Sequence, residues 1–367
     1  VSQSDSDFMA RALDEARRIL GQAWPNPAVG CVIVRDGVIV GRGHTQAGGR
    51  PHAETQALAE AGAAALGATA YVTLEPCSHQ GQTGPCAQAL IDAGIARVVS
   101  ALEDPNPLVS GQGHQMLREA GVAVEVGVLA DEAARLNQGF ILTMTQGRPR
   151  VMLKIATSLD GRIATARGES KWITGPIARE RSHLGRAMTD AIMVGSSTAV
   201  IDDPDLTCRL EGHEHRQPVR VVADGRLRLP LTAKMVRTAR EVPTFVLTLP
   251  DSDPGRRRAL SDAGVEIFVL EPGPDRRLAP LTMLKALAER GITRLMVEGG
   301  AKLAAAFLAA DLVDVIAWYR APILIGGDGV PALGPLGLSR LEDAKRFHRR
   351  SVEPLGQDLL EVYEHIA

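Results

Sequence analysis

Two stretches limit this chain's folding more than any others: His52-Ala53-Glu54, and Pro76-Cys77-Ser78-His79-Gln80-Gly81-Gln82-Thr83-Gly84-Pro85-Cys86. One histidine and two cysteines form a zinc ligand set, and they reach one ion only if the segments that carry them meet in space. Helix formers fill His52 to Ala64, so His52 and Glu54 fall at a helix N-terminus. The apolar run Ala70 to Leu74 reads as a strand ending at Glu75-Pro76-Cys77. Pro85 suits the first position of the next helix and puts Cys86 in its first turn. Two helix N-termini then converge on one point, where their positive ends favour thiolates and developing negative charge.

Three ligands leave a zinc ion with one open position, the mark of a catalytic site. Glu54, two residues after the histidine, can then move the proton of a bound water. This is the H-x-E…P-C-x-x-C logic of zinc deaminases, except that eight residues here separate the cysteines. The implied reaction is hydrolytic. A zinc-activated water adds to an amidine-type ring carbon, Glu54 shuttles protons, and ammonia leaves a carbonyl behind. Two other readings of the same residues remain. His79 as a fourth ligand would close the site into structural zinc, and the cluster could hold no metal. Cys31 and Cys208 lack ligand-like neighbours and read as structural.

At 367 residues the chain is too long for one ordinary domain. The formal charge of −2 and the lack of a basic stripe argue against a dedicated nucleic-acid binder. No apolar stretch reaches the ~18 residues of a membrane span. Four cysteines make no disulfide scaffold, so a reducing, cytoplasmic location is expected. The N-terminus shows no signal pattern, and a start at Val1 leaves room for an initiator methionine or a leader upstream.

In the first half, Asp5 to Leu20 has helical periodicity, with Asp5 or Asp7 as the expected cap. Val29 to Val34 and Val38 to Val40 read as strands joined by an Asp36-Gly37 hairpin. Arg97 to Leu102 and Val122 to Gly127 read as strands around a helix over Gln112 to Ala120. A boundary is expected near Gly147-Arg148-Pro149, giving domains 1–147 and 148–367. In the second half, Val151 to Ala156, Ala191 to Gly195, Val219 to Ala223, Thr244 to Leu249 and Ile292 to Val297 read as strands. The last reaches Glu298-Gly299-Gly300 and a helix over Ala301 to Ala310, a good phosphate cradle although Gly-Gly alone is a weak signal. His213-Glu214-His215 reads as a solvated loop, Asp251 to Arg258 as an exposed helix start, and Leu333 to Arg350 as a solvated loop. Both halves are α/β.

The chain resembles the bifunctional riboflavin-biosynthesis deaminase–reductase family. The resemblance rests on Pro25-Asn26-Pro27-Ala28-Val29-Gly30, His52-Ala53-Glu54, the long Pro76 to Cys86 loop and Asp104-Pro105-Asn106-Pro107. In the second half it rests on Lys154, on Ser158-Leu159-Asp160-Gly161, on Trp172-Ile173-Thr174, on Gly195 to Asp202, and on Val297-Glu298-Gly299-Gly300. Two departures are visible: Gly84 stands where the family has the first of two prolines, and Gly175 where it often has serine.

The resemblance implies a cytidine-deaminase-like layered domain followed by a dihydrofolate-reductase-like domain. The first would use one zinc ion to deaminate 2,5-diamino-6-(5-phosphoribosylamino)pyrimidin-4-one. The second would use NADPH to reduce the ribose of the product to a ribityl chain. By position, Asn26 and His44 would contact the pyrimidine. Ala156, Trp172, Thr198, Asp202 and the run Gly300, Ala301, Lys302, Leu303, Ala304, Ala305, Ala306 would line the NADPH site. Ser170, Arg186, Leu206, Arg209 and Glu298 would meet the phosphoribosyl substrate, the two arginines suiting phosphate. Lys154 and Asp202 are the candidates for polarising and proton-handling roles in the reduction. The partners expected are a small phosphoribosyl pyrimidine and further copies of the chain, as a dimer or tetramer, with no nucleic acid and no membrane. Three competing readings remain: a nucleic-acid or nucleoside base deaminase with a non-reductase second domain, a zinc-stabilised binding module, and a chain with one active domain.

Overall fold

A computed structural model of the chain describes residues 3–78, 84–106 and 109–366. His79, the candidate fourth ligand, and Pro107 lie outside the described residues. The chain divides into two compact units, Val1–Arg148 and Pro149–Ala367.

The first unit opens with helix α1 (Gln3–Arg17) and a hairpin of β1 (Gly30–Arg35) and β2 (Val38–His44). At the hairpin tip Asp36 and Gly37 both have positive φ, 52° and 77°, which a two-residue turn between twisted strands requires. Helix α2 (Ala53–Ala61), β3 (Thr69–Val72), α3 (Cys86–Asp92), β4 (Arg97–Ser100), α4 (Gln112–Glu119) and β5 (Ala123–Val126) follow. The sheet order is β2-β1-β3-β4-β5, with β1 antiparallel to both neighbours and β3-β4-β5 parallel. Side chains alternate along β1, so α1 and α2 cover opposite faces. A Cβ on Gly30 would lie 1.9 Å from the Ala12 carbonyl of α1, and one on Gly43, opposite Cys31, 2.1 Å from the Ala53 carbonyl of α2. The core on the α2 side is aliphatic: Cys31, Ile33, Ala57, Val72, Leu90 and Val98 are fully buried.

Four local features depart from the sequence reading. Helix α1 begins at Gln3, so Asp5 lies inside its first turn and is no cap. Its buried carboxylate accepts hydrogen bonds from Tyr71 Oη (2.7 Å) and from Arg97 (2.9 and 3.1 Å). Pro85 is the residue before α3, not its first position, and Cys86 opens the helix. Helices α5 (Ala130–Leu136) and α6 (Gln138–Gln146) were not anticipated. In the second unit, the expected loop over Leu333 to Arg350 gives way at Phe347 to a strand.

The second unit contains β6 (Arg150–Thr157), β7 (Arg162–Ala164), α7 (Pro176–Ala187), β8 (Ala191–Gly195), α8 (Ser196–Asp202), β9 (Val219–Ala223), α9 (Lys234–Arg237) and β10 (Thr244–Thr248). It continues through α10 (Pro254–Asp262), β11 (Glu266–Val269), α11 (Pro280–Glu289), β12 (Arg294–Glu298), α12 (Ala301–Ala309) and β13 (Val315–Arg320). It closes with β14 (Val330–Pro331), β15 (Phe347–Leu355) and β16 (Asp358–His365). The main sheet has the order β11-β10-β9-β8-β12-β6-β13-β16-β15, and β7 pairs with β14. From β11 to β13 the strands run parallel. β12, late in the chain, inserts between β6 and β8, the point from which connections run to both sides. Such switch points, at the C-terminal ends of parallel strands, are where open α/β sheets bind ligands.

Candidate active sites

In the first unit, β3 runs towards Cys77, α2 starts one residue after His52, and α3 starts at Cys86. His52 Nδ1 lies 3.2 Å from Cys86 Sγ and 3.6 Å from Cys77 Sγ, and all three ligand atoms fall within 4.8 Å of one another. Around a tetrahedral zinc, bond lengths of about 2.0 and 2.3 Å put nitrogen and sulfur ligands about 3.6 Å apart, so this donor set fits the ion. Among the described residues no fourth ligand joins the group. The Cys86 amide donates to Cys77 Sγ at 3.3 Å and the Ala87 amide to the Cys77 carbonyl at 3.1 Å. The Cys77 thiol is pulled down to about 4, first by its hydrogen bond with the Cys86 thiol and then by His52 and the Cys86 amide. Glu54 is buried in the first turn of α2, and burial pushes its carboxyl up to about 7. A carboxyl poised near neutrality suits proton transfer.

Behind this group stands a carboxylate the sequence reading passed over. Glu75 is buried and accepts four backbone N–H groups, from Asp104, Gly111, Gly113 and His114, at 2.8 to 3.2 Å. It ties the start of α4 to the strand end carrying Cys77. Its only sequence signal was its place directly before Pro76-Cys77. Asn26 Nδ2 reaches the Gly48 carbonyl at 3.4 Å, and His44 Nδ1 lies 3.4 Å from Glu15 Oε2. Both are partly exposed, and Glu15 is a further residue of this neighbourhood that the reading missed.

The second unit holds a cleft of about 450 Å³ at the switch point. Of the expected cofactor residues, Ala156, Thr198, Asp202, Gly300, Ala301 and Ala304 line it. Lys302, Leu303, Ala305 and Ala306 do not, because only one face of α12 turns towards the cleft. Gly299 and Gly300 have φ of 78° and 86°, and a Cβ on either would meet Thr198 at 3.4 Å. They form a bare backbone cradle of the kind a phosphate ligand approaches. That cradle and the cleft's size fit a dinucleotide.

Ser170, Arg186, Leu206 and Glu298 line the same cleft. Trp172 and Arg209 instead line an adjoining cavity of about 430 Å³, which shares Lys154, Ala156 and Arg186 with the first. Glu298 sits between the cations. Arg186 grips it with Nε–Oε1 at 2.8 Å and Nη2–Oε2 at 2.9 Å, and Lys154 Nζ stands 3.8 Å away. Burial works against its charge, but Arg186 and Lys154 outweigh burial and hold the carboxyl at about 2. Arg186's fork is therefore engaged by Glu298. Burial pulls Lys154 below its ordinary range, and burial raises Asp202. His183 and Tyr319, which the sequence reading missed, line the adjoining cavity. Burial, with Arg186 and Arg209, presses His183 down to about 4, and its Nδ1 accepts the Arg209 amide at 3.2 Å. His213 and His215 lie outside both cavities.

Comparison with known proteins decides the family. Residues 149–360 match the RibD C-terminal domain, and residues 2–102 match the cytidine and deoxycytidylate deaminase zinc-binding region. The riboflavin biosynthesis protein RibD of Aquifex aeolicus is 42% identical over 98% of both chains. The chain belongs to the RibD family. The Escherichia coli RibD is 43% identical over 97% of this chain and 98% of its own. Acinetobacter baumannii RibD superposes with a TM-score of 0.90 at 41% identity, covering 100% of this chain and 99% of that one. A Thermotoga maritima structure described as a diaminohydroxyphosphoribosylaminopyrimidine deaminase/5-amino-6-(5-phosphoribosylamino)uracil reductase superposes at 0.87 and 35% identity, covering 99% of each. The chain is thus a bifunctional deaminase–reductase of riboflavin biosynthesis, with a cytidine-deaminase-like zinc domain and a RibD-type reductase domain. Among the described residues no helix is long and apolar enough to cross a membrane.

Proposed function

We propose that the first unit hydrolytically deaminates 2,5-diamino-6-(5-phosphoribosylamino)pyrimidin-4-one and that the second reduces the ribose of the product, 5-amino-6-(5-phosphoribosylamino)uracil, to the ribitylamino compound. The observation that carries this is the convergence of His52, Cys77 and Cys86 beside a buried Glu54 in a chain that also holds the Glu298 cleft.

His52, Cys77 and Cys86 would hold the zinc ion, which would bring the pKa of a water towards 7. Glu54 takes one proton from the attacking water and passes it to the ring nitrogen, then takes the second proton from the hydroxyl now on the ring carbon and delivers it to the departing amine. Water oxygen stays on the ring carbon as a carbonyl, and ammonia leaves. Asn26 and His44 orient the pyrimidine.

Ala156, Thr198, Asp202 and the Gly300 cradle would hold NADPH in the second unit's cleft, where it would supply the hydride. Lys154 polarises the sugar end and Asp202, raised by burial, handles the proton for the opened ring. Glu298, 3.8 Å from Lys154 Nζ, favours the charged form of Lys154 against the burial that lowers it and holds it in place. Arg209, at the rim of the adjoining cavity, meets the substrate phosphate, with Arg186 and Ser170 beside it. Most of the rate comes from positioning donor and acceptor. A cytoplasmic dimer or tetramer is part of this reading, and it rests on the family resemblance alone. Ammonia release and NADPH oxidation, followed together on the diaminopyrimidine substrate, test the two-step reading, and no ammonia from zinc-loaded protein would sink the substrate assignment.

A further inference from the structure

We propose that Asp160 is a positioning residue for the reduction: its carboxylate ties the turn after β6 to the turn after β13, and so sets the ribbon of β7 and β14 that forms one wall of the reductase cleft. This rests on the reductase reading of that cleft. Asp160 belongs to Ser158-Leu159-Asp160-Gly161, where Gly161 turns the chain with a φ of 77°. The turn leads into β7 and then to Gly168 and Ser170. On the other side, β13 ends at Arg320, and the chain passes through Ile323 and Gly326 before β14. Val330 pairs with Ala164 and Pro331 with Arg162. Ile163, Ala164, Gly168, Ser170, Val330 and Ala332 all line the cleft, so the place of the ribbon decides how closely this wall holds the reactants.

Asp160 is exposed and lines neither cavity, so it acts through the ribbon. Its Oδ1 accepts the Ser158 hydroxyl at 2.6 Å and the Ile325 amide at 3.2 Å, and its Oδ2 accepts the Gly326 amide at 2.7 Å. Ser158 Oγ in turn accepts the amide of Arg162, the first residue of β7, at 2.9 Å. One carboxylate therefore reaches the start of β7 through Ser158 and the approach to β14 directly. The Ser158 hydroxyl first and the Gly326 amide next hold that carboxyl at about 2. Backbone bonds complete the join: the Leu159 amide donates to the Ile323 carbonyl at 2.7 Å and the Ala332 amide to the Gly161 carbonyl at 3.1 Å. Among the described residues no other side chain hydrogen-bonds from one turn to the other. Beyond β14 the Gly334 amide donates to the Ala301 carbonyl at 2.9 Å, which fastens the far end of the ribbon to the start of α12, beside the Gly300 cradle. An asparagine at position 160 has one acceptor oxygen and an NH2 group that cannot accept, so it forfeits at least one of the three bonds.

The test compares the full zinc-loaded chain with Asp160→Asn, using the already deaminated substrate and NADPH. Steady-state reduction, equilibrium NADPH binding and the unfolding midpoint are read side by side. The expected result is that D160N lowers kcat for reduction by about tenfold or more, as a misplaced wall would, and leaves the NADPH dissociation constant within about threefold. The unfolding midpoint and ammonia release from the diaminopyrimidine should stay near wild type. Should D160N fail to fold, Gly329→Ala carries the same comparison. A Cβ there would lie 2.7 Å from Ile325 Cγ2 and 3.0 Å from the Ala164 carbonyl, so it shifts the ribbon and leaves Asp160 in place. A folded variant with wild-type kcat would overturn the proposal. So would a loss of reduction that tracks a lowered unfolding midpoint, or NADPH binding weakened as much as kcat. Wild-type protein that does not oxidise NADPH on the deaminated substrate would overturn the reductase reading itself.

Discussion

Glu54 shows how far single residues can be read. Its spacing from His52 and the presence of two later cysteines were enough to propose it as the proton carrier. Its burial, which lifts it towards neutrality, is a property of the folded chain. Glu54→Gln should leave the zinc content and the unfolding midpoint near wild type while ammonia release falls by about 10²-fold or more, the usual size of a lost acid–base group; metal analysis beside an ammonia assay checks this. Glu298 was legible only as a substrate contact carried over from the family. Its clamp depends on Arg186 and Lys154, more than a hundred residues away, and no local pattern announces such a pairing. His183 was not legible, because a lone histidine on a helix carries no signal of its surroundings. It lies at about 4 in the folded protein against an ordinary 6.5. Between those values the unfolded chain binds a proton that the folded chain refuses, so stability is intact above about 6.5 and falls as pH drops towards 4. His183→Gln should flatten that part of a denaturation-midpoint profile against pH. An unchanged slope would mean that His183 is not held neutral.

At the scale of elements, strands with strong apolar runs were plain: Ala191–Gly195 and Val219–Ala223 stand where their runs placed them. Helix ends were not. Asp5 looked like a cap, yet it is drawn inward by Tyr71 and Arg97, an attraction from across the sheet that outweighs a local capping preference. Helices α5 and α6 were missed because partly polar runs such as Ala130–Leu136 gain their helicity from packing more than from pattern. Close approaches were equally silent. Gly113, at the start of α4, lies so near the end of β3's segment that a Cβ would stand 1.9 Å from the Pro76 carbonyl. Gly113→Ala should therefore push α4 away from the segment carrying Cys77 and disturb the Glu75 hydrogen bonds. We expect a loss of about 1–3 kcal/mol in unfolding free energy and weaker zinc retention against a chelator. Wild-type zinc retention would show that Cys77 is positioned independently of α4.

For the whole molecule, the two-domain α/β organisation followed from length and from the two motif clusters, and the family assignment agrees with both halves. The sheet order of the second unit could not be read in advance. β12 enters between β6 and β8 late in the chain, and it is this insertion that brings the Gly299-Gly300 cradle against Thr198. Two separate chemistries on one chain also predict separable losses. A zinc chelator should stop ammonia release while leaving NADPH oxidation intact when the already deaminated substrate is supplied. Simultaneous loss of both would mean that the reductase unit depends on the metal. The central claim is that one chain performs deamination and then reduction, and it is tested most directly by following both signals in one reaction. Zinc-loaded protein, the diaminopyrimidine substrate and NADPH should give ammonia first and NADPH oxidation after it, and Glu54→Gln should abolish both. NADPH oxidation that persists in that variant with the undeaminated substrate would contradict the order, and ammonia release that persists would contradict the role of Glu54.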